Sequence, residues 1–421
     1  MTTCRRPARS AFSICDMKRF ILALLVLACF AADAEIHCLN TVGDALILDE
    51  EYGIISLGEY EKAYPLGYYD LYAAKTDGGW TILDQYGERI GETYQKIGAC
   101  SAGMIVMKDQ KYRLLDEELA FKNNKQYMLI VPLSGGALAL KGQSWDSIPD
   151  RAYYLDADGT ESIRDIRLMF TGEEAEGLVP ACDGDTGLWG YIGSEAFWKI
   201  APTLYSAGCF VDGIAPASML SGIGAINTNG EWLLHPLFTD VRVNSSFIMC
   251  RELGALYVYR RDENGLILIS AFERAEGELA GDYYVVRSEG EIEIYDAYGT
   301  LMLSAEGDAV IYPGLQAELV FERDGRCAAV DIETSNVSEV YDTIRVAAEY
   351  DIYLCGIRTG NSMRYGLMNG SFVKLLPAVY DSISVNGEGM AAAQSGDRLE
   401  LYVISNGGLD LVAAVDTEIE D

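Results

Sequence analysis

The chain has 421 residues, enough for one large domain or two or three ordinary ones, and half of them are hydrophobic, which excludes a disordered chain. A formal net charge of −32 repels nucleic acid and anionic membrane surfaces, so neither is expected as a partner. With 43 Gly, 27 Tyr and few helix-period segments, the composition favours all-β structure with many turns.

The N-terminus reads as a targeting signal. Met17-Lys18-Arg19 is basic, Ile21 to Phe30 is apolar but short for a membrane span, and Ala32-Asp33-Ala34 has the small residues of a cleavage site. Residues 1–34 are thus expected to be an N-terminal extension and signal peptide, with Met17 as the true start and Glu35 as the first mature residue. Two alternatives compete with this. The segment could stay as a membrane anchor, or Val26-Leu27-Ala28-Cys29 could act as a lipoprotein box that leaves a lipid on Cys29.

From residue 35 onward, short apolar runs separated by turn residues recur at a pitch of roughly 35 residues. The first unit holds Ala45 to Leu48 and Gly53 to Ser56. The second holds Tyr69 to Ala74, Trp80 to Leu83, a Tyr86-Gly87 turn and Tyr94. The third begins at Met104 with a turn at Asn123-Asn124, and the fourth runs from Ala137 to Gly177 around Asp156-Ala157-Asp158-Gly159. The fifth, from Leu178, is the clearest: Trp189-Gly190-Tyr191-Ile192, a Gly193-Ser194-Glu195 turn, Phe197 to Ile200, then Pro202, which should end that strand or lie on an edge. Later units start near Ile214, Ala255, Tyr283, Leu319, Ile352 and Met390. The tail from Asp416 to Asp421 is expected to fray.

Three units share one frame: an aromatic or Gly, a Gly, an apolar strand, a turn, a second apolar strand, a Pro and a closing aromatic. They are Trp189-Gly190 with Pro202, Gly222 to Ile226 with Asn229-Gly230 and Pro236, and Tyr365-Gly366 with Asn369-Gly370 and Pro377. This frame resembles the bacterial WG-repeat family, although only Trp189-Gly190 keeps the dipeptide. The family is defined by its repeats, so the resemblance implies a shape more than an activity.

Roughly eleven units exceed the usual four to eight blades of one ring. The expected fold is therefore β-propeller-like, either one large ring or two consecutive propellers split near residue 213, with an open β-solenoid array as the alternative.

Chemistry is sparse. His37 and His235 are the only histidines, which disfavours a His-ligated metal or a Ser-His-Asp arrangement, and no phosphate loop or dinucleotide fingerprint appears. Asp156, Asp158 and Gly159 share the start of a calcium loop but not its later ligands, so a hairpin turn is the simpler reading. Trp80, Trp189, Trp198 and Trp232 could stack on sugars or peptides, yet three of them fall at repeat-core positions. Single cysteines inside apolar strands read as buried thiols, with room for one disulfide. No catalytic, cofactor or metal residue is assigned. The expected function is an exported binding or scaffold module at or outside the cell surface, for a protein or glycan ligand. The alternative is a secreted carbohydrate-active hydrolase that uses two of the 64 Asp and Glu carboxylates.

Overall fold

The structure is a computed structural model that describes residues 36–40, 45–49, 51–142, 151–262, 265–315, 317–347, 350–405 and 408–416. The targeting segment, Cys29 and the tail after Asp416 lie outside the described residues.

The described chain folds into eleven antiparallel sheets in chain order, spanning 36–60, 62–94, 96–115, 129–164, 168–204, 206–238, 240–273, 276–306, 310–331, 343–380 and 382–416. Each is a meander in which consecutive strands pair. Eight have four strands, and the first, third and ninth have three. In the third and ninth, isolated bridges such as Tyr112 to Tyr127 and Cys327 to Tyr341 stand in for a regular fourth strand.

Burial explains how the sheets assemble. Second strands such as Leu178–Asp183 are buried along their whole length. Fourth strands such as Trp232–Phe238 alternate between half-buried and exposed residues, as an outer strand should. Between each sheet and the next lies a cluster of buried apolar side chains. Ala73 and Ile82 of the second sheet meet Met104 and Val106 of the third, and Ile214 and Ala225 of the sixth meet Ile248 and Cys250 of the seventh.

The same packing joins the two ends of the chain. Leu39, Leu46 and Leu48 of the first sheet pack with Met390, Ala392, Leu399 and Leu401 of the eleventh. The sheets are therefore blades of one closed ring, an eleven-bladed β-propeller; the open array is excluded by this contact. Gly213 lies between the first two strands of the sixth blade, Ser206–Ala207 and Ile214–Met219. Packing continues across that point through Tyr191, Leu204, Phe210 and Ala215.

Side-chain hydrogen bonds add to this packing at the junction. Ser384 Oγ donates to the Asn40 carbonyl, and Asn386 Nδ2 donates to the Cys38 carbonyl at 3.2 Å. His37 Nδ1 lies 2.7 Å from Glu388 Oε2. On the other side, the Asn40 amide copies a strand bridge to the second blade, donating to Ala63 O at 2.9 Å and accepting from Ala63 N at 2.7 Å.

The repeat frame has a steric basis. A Cβ on Gly190 would lie 2.5 Å from Ile200 O, on Gly224 2.3 Å from Leu234 O, and on Gly366 2.6 Å from Leu376 O. In all three blades the neighbouring fourth strand bulges across the glycine: Trp189 pairs with Leu204 and Tyr191 with Ile200, so extra residues arch over Gly190. Pro202, Pro236 and Pro377 sit in these bulges, where a missing N–H costs no ladder bond. The strand Trp198–Leu204 runs through Pro202, so the proline marks an edge strand, the second of the two roles expected for it.

Most sequence units open at the second strand of their blade, and the seventh, expected near Ala255, opens at the third, since its blade begins at Asp240–Val243. The fifth unit was expected from Leu178, but its blade begins with the strand Leu168–Thr171; the eleventh was expected from Met390 and begins with Ser382–Val385. First strands are short and follow the preceding blade almost without a loop, so no turn residue announces them.

Candidate binding surfaces

One edge of the ring carries the turns that lead into the outermost segment of each blade, and one side chain builds most of them. Asp84 Oδ1 accepts from Tyr86 N at 3.0 Å and Glu88 N at 2.8 Å. Asp49, Asp116, Asp156, Asn227 and Asp296 hold the same pair of bonds. The residue after the tip turns left-handed, with φ from 75° to 83° at Gly159, Gly230 and Gly299. Asp156 Oδ1 is thus committed to the backbone of its own hairpin, which accounts for Asp-Ala-Asp-Gly without a calcium ion.

A cleft of about 320 Å³ opens on this edge between the ninth and tenth blades. Glu318 starts a second strand, Asp331 ends a third strand, and Asp351 precedes the second strand of the next blade; Thr334, Asn336, Gly370, Ser371 and Phe372 complete the lining. Gly370 lets the Asp351 carboxylate lie close to the backbone there, since a Cβ would sit 2.4 Å from it and the carboxylate would have to turn away. The hydroxyl and N–H of Thr334, and the Glu333 N–H, hold the Asp331 carboxyl below its ordinary range.

A second, wider cleft of about 550 Å³ lies at the opposite ends of the strands, between the eighth and ninth blades. Glu289, Glu291 and Glu306 line it with Arg323. This wider cleft lies wholly, and the narrower one by half its lining, in a strongly acidic stretch: residues 275–342 hold 16 Asp and Glu against 3 Arg and no Lys.

Two other carboxylates are saturated. Glu161 accepts from Lys125 Nζ at 2.8 Å and Tyr127 Oη at 2.9 Å, and pairs with Lys141 Nζ at 2.6 Å. Burial alone would raise its pKa, but these donors outweigh burial and lower it. Glu400 accepts from the hydroxyls of Tyr402 and Tyr380, each at 2.8 Å, and from Arg398 Nε at 2.9 Å, and its pKa is lowered as well. Tyr127 and Glu161, like Tyr380 and Glu400, belong to neighbouring blades, so these groups peg blades together. Sequence reasoning identified none of these residues; among 64 carboxylates nothing local distinguishes them.

The residues weighed in the sequence take simpler places. Trp80, Trp189, Trp198 and Trp232 are all half-buried and pack against the clusters between blades. His235 is exposed on an outer strand, far along the chain from the junction that holds His37. Among the described residues, no group of three His, Cys, Asp or Glu is placed to hold a metal ion, and all seven cysteines are free thiols. The most exposed aromatic residues stand on turns, with Tyr86 65% and Tyr298 77% exposed.

No curated protein matches the chain in sequence. Solved structures similar to it include a eukaryotic initiation factor, at 10% identity and a TM-score of 0.41 over 91% of this chain and 96% of that one. Apo AztD from Citrobacter koseri is similar at 9% identity and a TM-score of 0.30, over 72% and 93% of the two chains. BamB from Moraxella catarrhalis is similar at 13% identity and a TM-score of 0.26, over 74% and 97%. The family pattern described as WG containing repeat matches residues 223–246 and 365–398, which run from the sixth blade into the seventh and from the tenth into the eleventh, and these two matches support a WG-repeat protein.

Proposed function

We propose that this ring is an exported binding or scaffold module that works at or outside the cell surface and takes a protein or glycan partner carrying positive charge. The observation that carries the reading is that the wider cleft lies wholly, and the narrower one by half its lining, in the stretch 275–342, which holds 16 acidic residues against 3 cations. The clefts are open and lined by carboxylates, which suits a broad cationic surface better than a small buried substrate. Every carboxylate with a resolved shift, at Glu92, Glu161, Asp331 and Glu400, is shifted downward. A glycosidase acid needs the opposite shift, so the hydrolase alternative gains no support from them. Export rests on the targeting segment, through which, or through a lipid on Cys29, any membrane contact would pass.

The test has two arms. Fractionation of cells making the full chain should place the protein outside the cytoplasm, with a mature mass beginning at Glu35 or at a lipidated Cys29. Residues 35–421 should bind a decalysine peptide, and Glu289→Lys with Glu291→Lys should weaken that binding at equal ionic strength. A cytoplasmic, unprocessed protein would overturn the export reading, and unchanged binding by the double variant would overturn the acidic-surface reading.

A further inference from the structure

Ring closure leaves the outer edge of every blade open, and an unpaired edge strand is a template for another strand. Most outer edges here are blunted. Pro202, Pro236 and Pro377 interrupt three of them at bulges. Arg89 and Glu92 charge another, and the fourth blade ends in a strand of four residues. The third and ninth blades have no regular fourth strand among the described residues.

The outer strand of the seventh blade, Gly265–Glu273, has none of these devices. It is nine residues long and pairs with Ala255–Asp262 along its length through one bulge. It contains no Pro, and from Gly265 to Phe272 it carries no charge. Ile267 is 40% and Leu268 50% exposed. The eighth blade meets this strand at Ser270, beside Gly299, and at Phe272, whose ring centroid lies 5.4 Å from that of Tyr295. One other outer strand is as long, Gly408–Asp416 of the eleventh blade. That strand contains Asp410, and residues 381–421 hold 9 acidic groups against one cation. Residues 240–274 of the seventh blade hold 5 of each sign. Two copies can therefore bring their seventh blades together without the repulsion that the overall charge imposes elsewhere on the rim.

We propose that the outer edge of the seventh blade is a self-association surface, where Gly265–Glu273 pairs antiparallel with the same strand of a second copy about a two-fold axis. Two four-stranded blades then form one eight-stranded sheet. The Arg274 N–H donates inward to Gly254 O. By strand alternation the N–H groups of Ala271 and Glu273 face outward, toward the second copy. Pairing also covers Ile267 and Leu268, and an isologous contact of this kind stops at two copies.

The experiment is sedimentation of residues 35–421 across a wide concentration range, with Leu268→Lys, Ile267→Lys and Leu411→Lys beside the parent. The expected result is a dimer whose dissociation constant rises by at least about tenfold in Leu268→Lys, because the two-fold axis brings two new cations close together. Leu411→Lys, on the eleventh blade, should leave it unchanged. Circular dichroism confirms folding, and Ile267→Lys replaces Leu268→Lys if the latter does not fold. A parent that sediments as a monomer throughout, or a dimer unaffected by both seventh-blade variants, or one lost in Leu411→Lys, would overturn the proposal.

Discussion

Gly190 offers the sharpest test of why the repeat has the residues it has. A single methyl group there would lie 2.5 Å from Ile200 O and 2.8 Å from both Ala201 C and Pro202 N, distances that real side chains essentially never show. The obstructing atoms are backbone, so no rotamer change relieves the clash; the bulge around Pro202 must move as a unit, away from the cluster that holds Tyr191 and Leu204. Overpacking of this kind costs about 1–3 kcal/mol, and rigid backbone on the far side places Gly190→Ala toward the upper end. Gly193, in the same strand, is the control, since its nearest neighbour would be Lys199 Cβ at 4.0 Å. Gly193→Ala also narrows the unfolded ensemble, which favours folding by about 0.4–1 kcal/mol. The two substitutions should therefore move the urea midpoint in opposite directions. Equal midpoints for Gly190→Ala and Gly193→Ala would refute the steric account of the repeat glycine.

Thr81 occupies the place of Gly190 in the second blade; it is fully buried and its hydroxyl has no hydrogen-bond partner among the described residues. Thr81→Val should therefore stabilise the protein by about 1 kcal/mol, and a lowered melting temperature would contradict the assignment. At the hairpin tips, Asp156→Ala should destabilise by about 0.5–2 kcal/mol, by analogy with loss of a capping oxygen. Asp156→Asn should be nearly neutral, as Asn227 already plays the role, and added calcium should shift the melting of none of these proteins. Burial pushes the Cys100 thiol up to about 11 and those of Cys250 and Cys355 up to about 12, while Cys209 is exposed. A thiol reagent at pH 8 should thus modify Cys209 first in folded 35–421, and the others only on unfolding; rapid labelling of Cys250 or Cys355 would argue against their burial.

The parts of the fold that depend on neighbouring residues were legible. Trp189-Gly190 to Pro202, with its copies at Gly224 and Gly366, marks a hairpin whose turn, bulge and glycine all lie within one stretch of chain. The short first strands were not legible. Ser206–Ala207 has two residues and Lys62–Pro65 has four, too few for any periodicity, and packing against the previous blade decides their structure. The irregular outer segments near Phe121 and Val337 follow the same rule. Closure was expected ahead of the open array, yet no local signal carries it, because it depends on Leu39 and Leu48 meeting Met390 and Leu401 from opposite ends of the chain. The clefts were least legible of all. Glu318, Asp331 and Asp351 come from two blades, and in so acidic a chain no spacing singles them out.

The central claim is that eleven blades close on themselves, and the distance between the first and last blades tests it directly. In a protein with Cys209→Ser, spin labels at His37→Cys and Glu388→Cys mark side chains that lie 2.7 Å apart across the junction. Double electron–electron resonance, or line broadening if the labels are very close, reads their separation. The closed ring predicts a single short distance. An open stack of eleven sheets at about 10 Å spacing would hold the labels on the order of 100 Å apart. Absence of a short-distance population in the folded protein would contradict the ring.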